Sequence, residues 1–495
     1  SFVGWGIAKL YYAVGGVGRH AHIWHKILWF THMGLAFIFI ASIPFGKFWH
    51  IFSSMANIFT RNRQPKGDYV PHIEKLMERM EKDEIEKLGY EDIEDFTWRQ
   101  LILLDACTRC GRCQDMCPAY ATEKPLSPKF LIQDLKDYWE AKFVPKRDEL
   151  ISGEGAPKGE PDAQLHEDAI KADTLWACTT CMGCMEVCPV FVEHIPIILD
   201  LRRFLVFNMQ VPAEATTTLK NLTNNMNTWG MNPMDRGKWL EEMDEDVPLA
   251  AEVGKGNFDV LYYVGCIGAF DARGQKVTKA MIKILKAAGT RFAVIGAEEI
   301  CCGDSARKLG DEALFQMLAE QNIEMLNELG VKTILVTCPH GYNTLKHEYP
   351  KMGGNYNVVH HTQFIAELIK SGRLKLKQNG LNAVYHDSCY LGRYNGIYDE
   401  PRFVLQSAGA NLVEAAKNRN KGFCCGAGGG RMWLEEHPPK INFERTDQLT
   451  ATGAETIAVA CPFCLTMFEE GIKNKDLEDK HKVLDIAEIV ASLLE

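Results

Sequence analysis

The chain has 495 residues, 24% of them charged and 46% hydrophobic, with a formal net charge of −10. That is ordinary globular usage with no signature of disorder, and the negative balance excludes the basic face of a nucleic-acid binder. Seventeen cysteines in a short secreted chain would mean disulfides, but all 17 here fall into spaced sets. Such sets read as metal binding on reduced thiols, in a reducing cytoplasm.

The chain begins at Ser1 with neither an initiator Met nor a signal-peptide pattern, so further sequence is expected upstream. Residues 27–43, ILWFTHMGLAFIFIASI, hold one ionisable side chain, His32, and have Trp24, Trp29 and Trp49 about their ends. They read as a membrane span with aromatic ends, against the alternative of a buried core helix. His50 lies 18 residues after His32 (50 − 32 = 18). In one helix that is five turns, which places two imidazoles on one face about 27 Å apart, close to the hydrocarbon thickness of roughly 30 Å. Each can ligate a separate haem. His20, His22 and His25, in GGVGRHAHIWH, read as interfacial or structural. The landmarks His32, Pro44-Phe45 and His50-Ile51 resemble the last ligand-bearing helix of the cytochrome b subunit of respiratory nitrate reductases. That resemblance implies haem b on His32 and His50, with the second axial ligands from helices outside this sequence, upstream or in another chain. Residues 1–60 are accordingly expected to be the C-terminal part of a membrane cytochrome b domain. The basic residues give only a slight bias in orientation; the cysteines place the chain beyond the span on the cytoplasmic face.

Residues 61–100 are charged at helical spacing and read as a solvated helical connector. A two-cluster ferredoxin-like, α-helical domain is expected over residues 101–205. Cys107-x2-Cys110-x2-Cys113-x3-Cys117-Pro118 recurs there as Cys178-x2-Cys181-x2-Cys184-x3-Cys188-Pro189. This is the two-cluster ferredoxin spacing, in which the fourth cysteine serves the other cluster. One cubane [4Fe–4S] set is therefore Cys107, Cys110, Cys113 and Cys188; the other is Cys178, Cys181, Cys184 and Cys117. Zinc seldom uses four cysteines in so tight a run before Pro. Residues 130–140 read as helix, residues 145–165 as a polar Gly/Pro-rich loop, and the Met- and Asn-rich residues 206–256 as a bridge.

From residue 257 the chain repeats itself. Cys389, Cys424-Cys425 before Gly426, and Cys461-Pro462 match Cys266, Cys301-Cys302 before Gly303, and Cys338-Pro339, every pair 123 apart (389 − 266, 424 − 301, 425 − 302, 461 − 338). Five landmarks without slippage indicate a duplication, with halves at 257–380 and 381–495. Cys464 has Gly341 as its counterpart, so the second half has five cysteines and the first four. Runs such as DVLYYVG, RFAVIG, KTILVT, NAVYHD and TIAVA alternate with helices near 275–288, 312–329 and 363–370. The alternation predicts an α/β fold of two parallel-sheet halves. The cysteines then come just after the strands, where an open α/β sheet binds ligands. The glycines at 426 and 428–430 are expected to bring backbone close to a cluster.

HDSCYLGR at 386–393 and CCGAGGGR at 424–431 resemble the cysteine-rich CCG domain of heterodisulfide reductase catalytic subunits. They are most similar to the branch that fuses a membrane cytochrome b to the reductase-like part and is linked to electron-transfer flavoprotein and menaquinone. The resemblance implies a noncubane [4Fe–4S] cluster on Cys389, Cys424, Cys425, Cys461 and Cys464. It leaves an incomplete site on Cys266, Cys301, Cys302 and Cys338. There is no nucleophile–base constellation and no dinucleotide fingerprint, so the parts read as a wire of one-electron carriers. The expected activity is an iron–sulfur oxidoreductase passing electrons from reduced electron-transfer flavoprotein to menaquinone. The alternatives are a heterodisulfide-reductase-like thiol–disulfide reductase subunit, or a relay subunit of a larger respiratory complex with no substrate of its own.

Overall fold

The computed structural model describes residues 2–13, 19–43, 48–143, 164–244, 246–378 and 380–495. Three N-terminal helices come first: α1 (Phe2–Ala13), α2 (Arg19–Ser42) and α3 (Trp49–Thr60). Within α2, His22–Ser42 is long and apolar enough to cross a membrane, with a mean hydropathy of 1.4 and none of it buried. His22, His25 and His32 are exposed on this helix. The 18-residue spacing assumed one continuous helix through His32 and His50. The structure has two, since α2 ends at Ser42 and α3 starts at Trp49. Pro44 stands between them in sequence, and a proline removes a donor and clashes with the preceding turn. The shared helical face deduced for the two histidines therefore does not hold. Pro44-Phe45 and most of the 145–165 loop lie outside the described residues.

Helix α3 reverses the usual amphipathic rule, in which the apolar face turns inward. Its polar residues Ser53, Ser54 and Asn57 are buried, while Phe52, Met55 and Phe59 are exposed, Phe59 to 78%. Ser54 Oγ donates to the carbonyl of Ala106 at 2.9 Å. Asn57 Nδ2 donates to that of Val190 at 2.6 Å, and Trp49 Nε1 donates to Asp105 at 3.1 Å. The connector is not a solvated rod. It contains one short helix, Leu76–Glu81, and buries Val70, Leu76, Ile93 and Phe96.

The repeated half forms two four-stranded parallel sheets, in the orders β2-β1-β3-β4 and β6-β5-β7-β8. The strands are β1 (Val260–Tyr263), β2 (Phe292–Val294), β3 (Thr333–Val336) and β4 (Asn357–His360), then β5 (Asn382–Tyr385), β6 (Asn411–Val413), β7 (Thr456–Val459) and β8 (Lys482–Asp485). This is the α/β duplication expected. The edge strands β4, β6 and β8 were missed because each begins on an exposed polar residue and lacks the continuous buried apolar run of the other strands. Helices Ala272–Ala287, Glu312–Glu328 and His361–Lys370 lie where the pattern placed them.

The ferredoxin-like region and the two repeats are bound together by buried cations. Arg202, on the helix His194–Phe207, is fully buried. Its guanidinium donates to the carbonyls of Leu175 and Cys178, of Lys308 in the first repeat and of Gly429 in the second. Arg203 pairs with Asp200 at 2.6 Å and Glu312 at 2.7 Å. Arg307 pairs with both Glu312 and Glu348. Charges this deep persist only when paired and hydrogen-bonded.

Candidate metal centres

Parallel strands end in loops on one edge of their sheet, and there the structure gathers the thiols. Cys266 comes after β1, Cys338 after β3, Cys389 after β5 and Cys461 after β7. Cys338 and Cys461 each precede a Pro at the first position of a helix, a position that suits proline's fixed φ.

In the ferredoxin-like region the crossed sets are the ones brought together. Cys107, Cys110, Cys113 and Cys188 line one cavity. Cys117, Cys178, Cys181 and Cys184 line another. Burial pushes the Cys113 thiol up to about 12 and that of Cys178 to about 11. Without a metal these thiols hold their protons, so metal binding must release them.

In the second repeat all five cysteines are buried. Cys464 and Cys425 touch, sulfur to sulfur, at 3.3 Å. Hydrogen bonds from Cys181 and then from Cys389 lower the pKa of Cys424. Cys424 thus touches a cysteine of the ferredoxin-like region as well as one of its own repeat. A ring nitrogen of His386 lies with the sulfurs of Cys425 and Cys464 in a group spanning at most 4.8 Å.

The first repeat is more open. Cys266, Cys301, Cys302 and Cys338 line a cavity together with His340, Gly341, Trp433 and Phe463. Cys266, Cys302 and Cys338 are partly exposed. A Cβ on Gly341 would meet nothing nearer than Cys302 Sγ and Cys338 Cβ, both at 3.9 Å. The place of the missing thiol is therefore empty space. Arg236 donates to Cys266 Sγ at 3.1 Å and pairs with the buried Glu299 at 2.7 Å. Glu299 in turn accepts from the backbone N–H groups of Val264 and Gly265.

Between the sites stands His340. Burial opposes its protonation, but Asp304, 3.0 Å from its Nδ1, raises its pKa to about 10. Its ring stacks on Tyr390 at 4.1 Å, and Tyr390 on Tyr394 at 4.2 Å. Both tyrosine hydroxyls reach Thr180, between Cys178 and Cys181. Gly428 and Gly429 have a packing part that the sequence reading did not include. A Cβ on Gly428 would strike the carbonyl of Thr179 at 2.5 Å, and one on Gly429 (φ +67°) that of Cys178 at 2.4 Å. These glycines let the second repeat close on the ferredoxin-like loop.

Neither Arg236 nor His340 was singled out from sequence, and no local signal marks them. Arg236 lies in the bridge, which looked featureless. His340 differs from its counterpart, Phe463, only across the repeat.

Soft anionic donors grouped around cavities of this kind are the ligand sets of an iron–sulfur oxidoreductase. Comparison with known proteins gives the same class. A 4Fe-4S dicluster domain model matches residues 99–189, and a cysteine-rich domain model matches 260–346 and 383–469. The chain is 45% identical to EtfAB:quinone oxidoreductase of Syntrophomonas wolfei, over 96% of this chain and 68% of that protein. It is 38% identical to the probable iron-sulfur-binding oxidoreductase FadF of Bacillus subtilis, over 98% and 72%. It is 30% identical to a polypeptide of the dihydromethanophenazine:CoB–CoM heterodisulfide reductase of Methanosarcina barkeri, over 81% and 97%. The chain belongs to the family of iron–sulfur oxidoreductases that includes these proteins.

Proposed function

We propose that the protein is a membrane-bound oxidoreductase that takes electrons from reduced electron-transfer flavoprotein and delivers them to a quinone, on the menaquinone side of the resemblance. The observation that carries the reading is the order of the thiol sets in space. Asn57 and Ser54 of α3 bond to carbonyls of Val190 and Ala106, beside Cys188 and Cys107. Cys113, Cys181, Cys184, Cys389 and Cys424 belong to one packed cluster, and Pro462 and Phe463, next to Cys461, line the cavity that holds Cys338. From the candidate span to the open cavity, the sets form one series.

The proposed ligand sets are Cys107, Cys110, Cys113 and Cys188; Cys117, Cys178, Cys181 and Cys184; and Cys389, Cys424, Cys425, Cys461 and Cys464 for a noncubane centre. Cys266, Cys301, Cys302 and Cys338 form a fourth, incomplete set. Iron–sulfur clusters bound there supply one-electron transfer at potentials set by ligands, hydrogen bonds and burial. The chain's own residues fix the sets: Arg202 and the glycine run hold Cys178, while Arg393 donates to the carbonyl of Cys181 at 2.6 Å. His32 and His50 are proposed as haem b ligands, one on each of α2 and α3, with partner histidines from other helices. The exposed apolar residues of α2 and of α3 support a membrane domain, and the iron–sulfur region is proposed to lie on the cytoplasmic face, where thiols stay reduced.

The test is anaerobic rapid mixing of the membrane protein with reduced electron-transfer flavoprotein while the haem b bands are observed, with and without a menaquinone analogue. Haem reduction on a catalytic timescale, reversed by the quinone, is expected. The partly exposed cysteines of the first cavity also favour a second reading, thiol–disulfide reduction. Haems that ignore the flavoprotein but respond to a low-molecular-weight disulfide couple would establish that reading instead.

A further inference from the structure

His386 stands three residues before Cys389 and has no part in the proposed ligand set. It is 1% exposed. Arg445, also fully buried, donates from Nε to His386 Nδ1 at 3.3 Å. An arginine only donates, so Nδ1 must be the acceptor and the ring proton sits on Nε2. His386 Nε2 has no hydrogen-bond partner. Phe468 packs edge-on against the ring at 4.6 Å, so its apolar surroundings are complete on that side. A buried, unpaired N–H is costly, and the ring holding this one shares a 4.8 Å group with the sulfurs of Cys425 and Cys464.

We propose that His386 is a positioning residue of the second-repeat centre, donating a hydrogen bond from Nε2 to one of its sulfurs and raising its reduction potential. The inference rests on the five-cysteine ligand set of the proposed function. A hydrogen bond to a cluster sulfur favours the more electron-rich, reduced state, and such bonds are among the protein's means of setting a potential. The duplication supplies the contrast. The counterpart of His386 is Tyr263 (386 − 123 = 263), whose hydroxyl is bonded to the carbonyl of Ile300. The first repeat therefore lacks both the fifth thiol and this donor, and the two halves are set to different potentials.

The experiment uses the whole chain, prepared anaerobically with its clusters. Cys461→Ser comes first and identifies the signal: if the paramagnetic signal assigned to this centre and its iron survive in that variant, the ligand set fails, not the role of His386. With the signal assigned, the unaltered chain labelled with ¹⁵N-histidine is expected to show a weak coupling from His386 at that centre, beside any from His340, which hydrogen-bonds Cys461; labelled His340→Phe isolates the His386 coupling. His386→Phe should abolish the coupling, keep the iron, and lower the potential so that the one-electron equilibrium shifts at least tenfold, about 59 mV. His386→Gln, which keeps a donor, should recover most of the shift. A strong coupling typical of a nitrogen ligand, no coupling in the unaltered chain, or a potential unchanged in His386→Phe would each overturn the proposal. If His386→Phe fails to fold, the labelled His340→Phe chain still decides: loss of all histidine coupling there would overturn the proposal.

Discussion

A guanidinium with four carbonyl partners in three regions of the chain shows how much one residue can hold. Replacing Arg202 by Met leaves the carbonyls of Leu175, Cys178, Lys308 and Gly429 without a donor in a buried place. Unpaired buried groups cost about 1–3 kcal/mol each, so the variant is expected to lose at least about 3 kcal/mol, seen as a fall in the anaerobic melting temperature. Arg419→Gln is the control. Its partner Asp399 is 82% exposed, and loss of such a pair should leave the melting temperature within error. Glu312 makes a pH-dependent contribution of known sign. Burial opposes its ionisation, but Arg307 and Arg203 outweigh burial and hold its pKa at about 2. A carboxylate depressed in the folded state contributes stability that is full above its unfolded pKa, near 4.5, and is lost as pH falls toward 2. The melting-temperature difference between the native chain and Glu312→Gln should therefore be constant above pH 5.5 and shrink between pH 5 and pH 4. A constant difference over that range would contradict the network.

At the scale of elements, the glycine loop after Cys425 separates backbone freedom from close approach. Gly453 has a positive φ of +76° with nothing near its Cβ position, so Gly453→Ala should lose about 1 kcal/mol, the conformational cost alone. Gly429→Ala adds a collision with the carbonyl of Cys178 at 2.4 Å. It should lose more and also alter the paramagnetic signal of the Cys117, Cys178, Cys181 and Cys184 site, which belongs to the other region. A change confined to the second repeat would show that the loop has no such reach. In the first repeat, Gly341→Cys adds a thiol where space exists. Iron per chain should rise if the set is open for want of that ligand. No rise would mean that the four cysteines already hold a full complement or that this thiol alone does not repair the site.

The relation between the regions is a property of the whole molecule. Four thiol sets lie in or beside the contacts that join ferredoxin-like region, bridge and repeats, and Arg202, Arg203, Arg307 and Arg393 tie the same contacts. Metal binding to such sets is folding free energy. Anaerobic removal of iron by a chelator should lower the melting temperature of the ferredoxin-like region and both repeats in one transition. Separate transitions for ferredoxin-like and repeat regions would show that the sites do not brace one another.

Covalent spacing alone was enough for the local chemistry. The x2, x2 spacing prescribes that three cysteines of each run share a cavity, because short peptide spans limit where thiols can go, while the fourth, before Pro, lies in the other cavity. The offset of 123 with Gly341 opposite Cys464 prescribes two like halves and one missing thiol. The alternation of apolar runs with amphipathic helices prescribes parallel sheets. Helix continuity between His32 and His50 was not legible that way, since spacing cannot say where a helix ends and another begins. Nor were Arg236 on Cys266, Glu312 beneath Arg203 and Arg307, or His386 fixed by Arg445. Each joins residues that can lie tens or hundreds of positions apart, and burial turns an ordinary side chain into a cation, anion or donor that must be matched. Sequence periodicity records which face of an element is apolar; only the folded chain decides which polar group meets which.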